Sequence, residues 1–224
     1  MNILIIGDQR RADELRSKLA ADAHIHHASS FIGDDLRQYE VIFDLNFDDD
    51  NSSLSYLLSL ENIPVFVCAV KKQLAGVHHS VNHEIKVSLI GMNALPTFIN
   101  RPKMEISLFD KANENIIIKV SEKLGWQYEI VEDRVGMVSP RILFMIINEA
   151  CYTLQEGTAD VRNIDMAMKL GTNYPFGPFE WCDRIGVKDV YETLDALYND
   201  THDERYKICS LLKTKYLKRE TFYP

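Results

Sequence analysis

The chain has 224 residues and a formal net charge of −8 at neutral pH. That acidic balance excludes the clustered Lys/Arg footprint of a nucleic-acid or anionic-membrane binder. Hydrophobic residues make up 46% and charged residues 26%, which excludes a disordered chain and allows one large domain or two modest ones. No apolar run approaches the ~18–20 residues of a membrane span. MNILIIGDQRR lacks the basic start of a leader peptide. Cys68, Cys151, Cys182 and Cys209 are widely spaced and form no CxxC pair. They read as reduced thiols of a cytoplasmic protein, not as a disulfide frame or a zinc site.

Along the chain, Ile3–Ile6 is a short, wholly apolar run ending at Gly7, as suits a parallel strand buried on both faces. Arg11–Ala21 follows with Ala12, Leu15 and Leu19 at helical spacing. Further strands are expected at His24–Ala28, Glu40–Leu45, Pro64–Ala69, Lys86–Met92, Met104–Leu108 and Gln127–Val131. Helices are expected at Ser52–Leu60, around His78, His79 and His83, and at Lys111–Leu124 with Gly125 as its C-cap. This alternation predicts a mostly parallel α/β sheet with right-handed crossovers.

The second half changes character. Arg141–Gln155 is too long and too apolar for a strand and reads as a buried helix. Another helix opens at Asn163 and ends near Gly171. Tyr174–Glu180, YPFGPFE, reads as a rigid turn, and helices follow at Cys182–Ile185, Val187–Tyr198 and Arg205–Thr214. The expected organisation is an α/β domain over 1–134 and an all-α domain over 135–224.

The helical half carries a recognisable pattern: Asn148-Glu149-Ala150, Asp165, Ala167-Met168, Gly171, Pro175, Gly177-Pro178-Phe179-Glu180, Asp183 and Gly186, in that order. It resembles the C-terminal domain of 3-hydroxyacyl-CoA dehydrogenases, of the 3-hydroxybutyryl-CoA type. The resemblance implies a Rossmann-like domain binding NAD, here shortened, followed by a helical domain that contributes to the acyl-CoA cleft and to a homodimer interface. The family reaction interconverts an L-3-hydroxyacyl-CoA and a 3-ketoacyl-CoA by hydride exchange, with a histidine taking the hydroxyl proton and a glutamate orienting that histidine. The tail Leu217–Tyr223 keeps the family's F-Y pair at Phe222-Tyr223 without its glycines.

Several positions depart from the family's pattern. Its GxGxxG turn is here Gly7-Asp8-Gln9-Arg10-Arg11-Ala12, which keeps only the first glycine. Gln9 puts a side chain where the phosphates belong, Asp8 adds negative charge that Arg10 and Arg11 partly offset, and Ala12 is a mild change. The turn reads either as a weakened dinucleotide site or as a plain strand–helix turn, and the second reading is favoured. The acid expected at the ribose is replaced by Ser29-Ser30. Only about a dozen residues separate Ala28 from Glu40, room for little more than a short helix. The unit of helices and strand that the family carries there, with contacts to CoA, is expected to be absent.

The family's catalytic histidine falls on Asn93 and its glutamate on Glu105. An amide does not accept a proton near neutral pH, although it can donate to a carbonyl oxygen. Equally, Asn93 can simply end a strand, with Glu105 an ordinary charge. The family's substrate-binding asparagine falls on Pro140, beside Ser139, and its serine after the fourth strand falls on Lys71, beside Lys72. Either lysine can pair with an anion or stay solvated. His24 and His26 share a strand face, and His79 and His83 lie one turn apart, but neither pair has a third ligand and no metal is expected. Together these features imply a divergent family member with impaired or absent catalysis and weak or absent NAD binding. The alternative is a non-catalytic acyl-CoA or nucleotide binder, or a dimerisation or regulatory protein.

Overall fold

The structure, a computed structural model, describes residues 1–30, 35–81 and 85–224. The chain divides into two compact units, Met1–Met137 and Val138–Pro224.

The first unit holds β1 (Asn2–Ile6), α1 (Gln9–Arg16), β2 (His24–Ala28), β3 (Val41–Asp44), α2 (Leu54–Leu57), β4 (Pro64–Cys68), α3 (Leu74–Ser80), β5 (Ser88–Met92), β6 (Lys103–Leu108), α4 (Glu114–Leu124) and β7 (Gln127–Val131). The seven strands form one sheet in the order β2-β1-β3-β4-β5-β6-β7. All neighbours are parallel except β5 and β6, which run antiparallel. The apolar runs in β1, β3, β4 and β5 are buried, as expected for strands covered on both faces. Phe43 on β3 and Phe66 on β4 stack with centroids 5.1 Å apart, and the Trp126 ring lies 5.4 Å from that of Phe43.

Among the described residues, β2-β1-β3-β4-β5 follow the doubly wound 3-2-1-4-5-6 order without its strand 3, and β6 and β7 extend the sheet on the far side. Among the described residues, the interval between β2 and β3 holds only a single 3-10 turn at Leu36–Gln38. The unit expected to be missing after Ala28 has no counterpart there, and β2 becomes the rim of the sheet.

Several boundaries move for local reasons. The first helix starts earlier than expected, at Gln9, because the Asp8 carboxylate accepts from the Arg11 amide and caps it, and it ends at Arg16, well short of Ala21. The helix expected at Ser52–Leu60 contracts to Leu54–Leu57. The helix bearing His78 and His79 stops at Ser80, and His83 lies outside the described residues. Gly125 caps α4 in the left-handed conformation, as expected.

The second unit is all helical: α5 (Ser139–Gln155), α6 (Val161–Thr172), α7 (Pro178–Ile185), α8 (Val187–Thr201) and α9 (Ser210–Lys218). The YPFGPFE turn is shorter than expected, because Pro178 takes the first helical position, where its missing N–H costs nothing, and starts α7 inside the motif. The last expected helix is split into a 3-10 turn at Glu204–Tyr206 and α9, which begins five residues later than expected. Phe144, Phe179, Cys182, Leu194 and Cys209 form part of the buried interior. All four cysteines are free and buried. Among the described residues, no helix is long and apolar enough to cross a membrane.

Candidate functional site

The C-terminal ends of β1, β3, β4 and β5 share one edge of the sheet, because these four strands are mutually parallel. Chain direction across the sheet reverses at β1, with β2 on one side and β3 on the other. Ligands of such folds sit in the crevice at this switch point, outside the strand ends. The candidate site is therefore built from the turn after β1, the loop after β3, the loop after β4 and the residue after β5.

The turn after β1 is occupied by the chain itself. The Asp8 carboxylate accepts a hydrogen bond from the Arg11 amide at 3.0 Å, so the negative end expected of a bound phosphate is already supplied at the N-terminus of α1. Arg11 is only 6% exposed. Its guanidinium pairs with Asp8, donates to the Leu45 carbonyl, and donates to Asn46 Oδ1 at 2.9 Å. Asp49 lies 3.8 Å from the same group. The other end of the Asn46 side chain donates to the Ser29 carbonyl at 2.9 Å. Arg11 and Asn46 thus lace the end of β2, the first turn of α1 and the end of β3 together at the switch point. Burial raises the Asp8 carboxyl, but the bond from the Arg11 amide and the guanidinium outweigh it and hold it low.

Gly7 serves this closure. A Cβ there would stand 2.9 Å from Leu45 Cβ, so only glycine lets β1 and the end of β3 approach this closely. Ala12 is fully buried against the sheet. Gln9 does not fill the crevice, contrary to expectation: its amide turns along α1 to Asp13 at 2.7 Å. Arg11 and Asn46 close the site instead. The sequence signal for Arg11 was an arginine in the first turn of a helix whose cap is an aspartate; for Asn46 no signal was recognised. Ser29 contributes its backbone carbonyl to Asn46 and has no carboxylate for a ribose.

The loops after β3 and β4 are bound to each other. Asp48 accepts from the Val70 amide at 2.7 Å, the Lys71 amide at 3.1 Å and the Cys68 thiol at 3.2 Å. Lys71 is not a solvated lysine: its side chain is largely buried, and its ammonium pairs with Asp49 at 2.9 Å. The Lys72 ammonium donates to the Phe47 carbonyl. Both turn back onto the chain.

Two carboxyls in this region titrate high. Burial pushes Asp44 up to about 6, opposed by bonds from Ser53 and the Asn46 amide. Burial likewise pushes Asp48 up to about 6, against the Val70 and Lys71 amides. A carboxyl whose pKa is raised on folding favours the native state at low pH, and that contribution is lost as pH rises through the folded value. Stability is therefore expected to fall, on account of these two groups, between about pH 4 and pH 6. Asp44→Asn should make that slope shallower in urea titrations run across the interval.

Asn93 and Glu105 are brought together. Asn93 follows β5 and is 4% exposed. Its amide N–H donates to the Glu105 carbonyl at 3.0 Å, a continuation of the antiparallel β5–β6 pairing. Its Nδ2 donates to Glu105 Oε2 at 3.2 Å. The two residues hold the relative position of a base and its orienting carboxylate, but the group in the base's place is a hydrogen-bond donor with no basic nitrogen. Ser139 and Pro140 belong to the other unit, where they open α5; Pro140 is buried in its first turn and offers no donor. His24 and His26 point off the exposed face of β2, with the His26 ring edge-on to Tyr39. Among the described residues neither belongs to a group of three metal-competent side chains.

Residues 136–221 match the 3-hydroxyacyl-CoA dehydrogenase C-terminal domain. This segment of the chain is thus a domain of the 3-hydroxyacyl-CoA dehydrogenase C-terminal type. A 3-hydroxybutyryl-CoA dehydrogenase of Bradyrhizobium diazoefficiens is 43% identical over 96 residues, covering 43% of this chain and 32% of that protein. A 3-hydroxybutyryl-CoA dehydrogenase of Clostridioides difficile is 28% identical over 195 residues, covering 84% of this chain and 69% of that protein. The match thus spans about a third of the first of these family members. In fold, the chain is similar to (S)-3-hydroxybutyryl-CoA dehydrogenase PaaH1 from Ralstonia eutropha, with a TM-score of 0.75 and 19% identity over 97% of this chain and 94% of that one.

Proposed function

We propose that this chain is a divergent 3-hydroxyacyl-CoA dehydrogenase relative, of the 3-hydroxybutyryl-CoA type, in which the family's redox reaction is impaired or lost. The observation that carries this reading is the closed switch point: Arg11 and Asn46 bridge the strand ends where the family's NAD would lie, and Asp8 caps the helix that would receive its phosphates. The residues present do not fit a dinucleotide. A ribose acid is lacking at Ser29, and among the described residues no strand flanks β2 on its outer side. Asn93 in the base's place and Pro140 in the substrate asparagine's place point the same way.

Calorimetric titration with NADH and with acetoacetyl-CoA, separately and together, tests this. No saturable NADH binding in the low micromolar range is expected. Such binding would overturn the reading. Acetoacetyl-CoA binding without NADH would favour the role of an acyl-CoA carrier or sensor in a reducing, cytoplasmic setting.

A scaffold role as a homodimer has its own support. Ile142 on α5 is 60% exposed and Leu170 on α6 is 81% exposed, with Met166 also uncovered. Apolar side chains of this size left in water favour burial against a second copy. Sedimentation equilibrium is expected to give a dimer at micromolar concentration, and Leu170→Glu with Ile142→Glu to give a monomer with unchanged helix content.

A further inference from the structure

The helical unit ends in a segment held by more polar contacts than a surface tail needs. Asp183 on α7 accepts the Phe222 amide with both oxygens, at 2.9 and 3.0 Å, and the Tyr223 amide at 2.9 Å. The Tyr223 hydroxyl donates to Asp165 Oδ2 at 2.8 Å. Asp165, buried on α6, also accepts the amides of Phe179 and Glu180, so it caps α7 from a distance. The Phe222 ring lies 4.5 Å from that of Phe179, and the Lys215 ammonium sits 5.5 Å above its face. Lys215 also donates to the Thr221 carbonyl.

We propose that the corner between α6 and α7 is a built receptor for a Phe-Tyr segment, and that its occupant here is the chain's own Phe222-Tyr223, which acts as a latch on the helical unit. Four features make it a receptor. Asp183 reads two successive backbone N–H groups, which converge on one carboxylate only where the chain bends, as it does at Phe222. Phe179, fully buried, offers a ring for the first aromatic side chain. Asp165 reads the hydroxyl of the second. Gly177 leaves room for Asp165 to do so: a Cβ there would fall 2.2 Å from Asp165 Cγ. Burial and the bond to the carboxylate push the Tyr223 hydroxyl up, so it remains the donor throughout the neutral range. Much of the signature that marks the family, Asp165, Gly177, Phe179 and Asp183, is thereby engaged in holding a chain segment. The latch does not depend on the proposed loss of catalysis.

Hydrogen exchange on the full chain tests it. In the wild type the Phe222 and Tyr223 amides should be protected to a degree comparable with the helices of the unit. Asp183→Asn should speed exchange at both amides at least about tenfold while the amides of α5 stay unchanged. Tyr223→Phe should release the hydroxyl contact alone and speed exchange less. In the double variant Phe222→Ala with Tyr223→Ala, the thermal midpoint should fall by several degrees, and the free peptide Lys-Arg-Glu-Thr-Phe-Tyr-Pro should restore it at millimolar concentration. Unprotected Phe222 and Tyr223 amides in the wild type would overturn the latch. A double variant that melts like the wild type would do the same, and a lowered midpoint that the peptide leaves unchanged would overturn the receptor.

Discussion

Arg11→Met is expected to lower the unfolding free energy by about 3 kcal/mol. Removing one partner of a buried ion pair typically costs ~3–5 kcal/mol, because the remaining charge stays desolvated. Here the lower end applies, because Asp8 is half exposed and water can screen it. The Leu45 carbonyl and Asn46 Oδ1 would lose their donor at the same time. Methionine keeps much of the volume, so the loss reports charge and hydrogen bonding more than a cavity. Urea unfolding would show a lower midpoint with an unchanged slope. NADH should still not bind to the variant, since opening the turn provides neither a ribose acid nor a flanking strand. An unchanged midpoint would mean that the lacing contributes nothing to the fold.

Asn93→His is expected to leave NADH oxidation with acetoacetyl-CoA at background. The new imidazole would stand beside Glu105, which is 3.2 Å from Asn93 Nδ2, and a neighbouring carboxylate favours its charged form. A positioned general base is worth ~10²–10⁴-fold, yet that gain needs a hydride donor held in line, and in the proposed function the crevice for the donor is closed. Adding Gln9→Gly should help little, because the Gln9 side chain lies along α1 and not across the crevice. Stopped-flow absorbance at 340 nm gives the check. A turnover near ~10 s⁻¹, the median for enzymes, in the wild type would show that another residue takes the base's role. Recovery of that rate in Asn93→His alone would show that the crevice opens for NADH.

The sheet was legible because its signal is simple. Runs such as Ile3–Ile6 and Pro64–Cys68 are apolar on both faces, and their shortness and β-branched content favour a buried strand over a buried helix. The helices of the first unit were harder. Their boundaries are set by single polar side chains, as at Asp8, or by tertiary contacts, as where Asp133 accepts the amides of Leu74 and Ala75 at the start of α3. Periodicity does not report either. The pairing of Asn93 with Glu105 is implied by the resemblance to the family's histidine and glutamate, while the antiparallel β5–β6 ladder that brings them together is visible only in the structure. The closure by Arg11 and Asn46 joins residues 35 positions apart, and nothing local to either residue announces the other. The sequence pattern points two residues away from Arg11, to Gln9, because the glycine pattern names the position that changed and not the side chain that moves in.

The missing outer strand has a consequence for how copies of this chain behave in a crowded solution. β2 presents one row of backbone donors and acceptors that no described strand takes up. Such a rim is a template on which another extended segment can add. Here the rim is five residues long, about 17 Å at ~3.3 Å per residue, too short to hold a stranger firmly. Its solvent face carries His24 and His26 in place of the large apolar side chains that would glue two rims into a stack. The chain's charge of −8 adds repulsion between copies. Colloidal stability thus rests on the same short strand that the loss of its neighbour left bare, and lengthening it or replacing its histidines with valine would turn that rim into a site of aggregation.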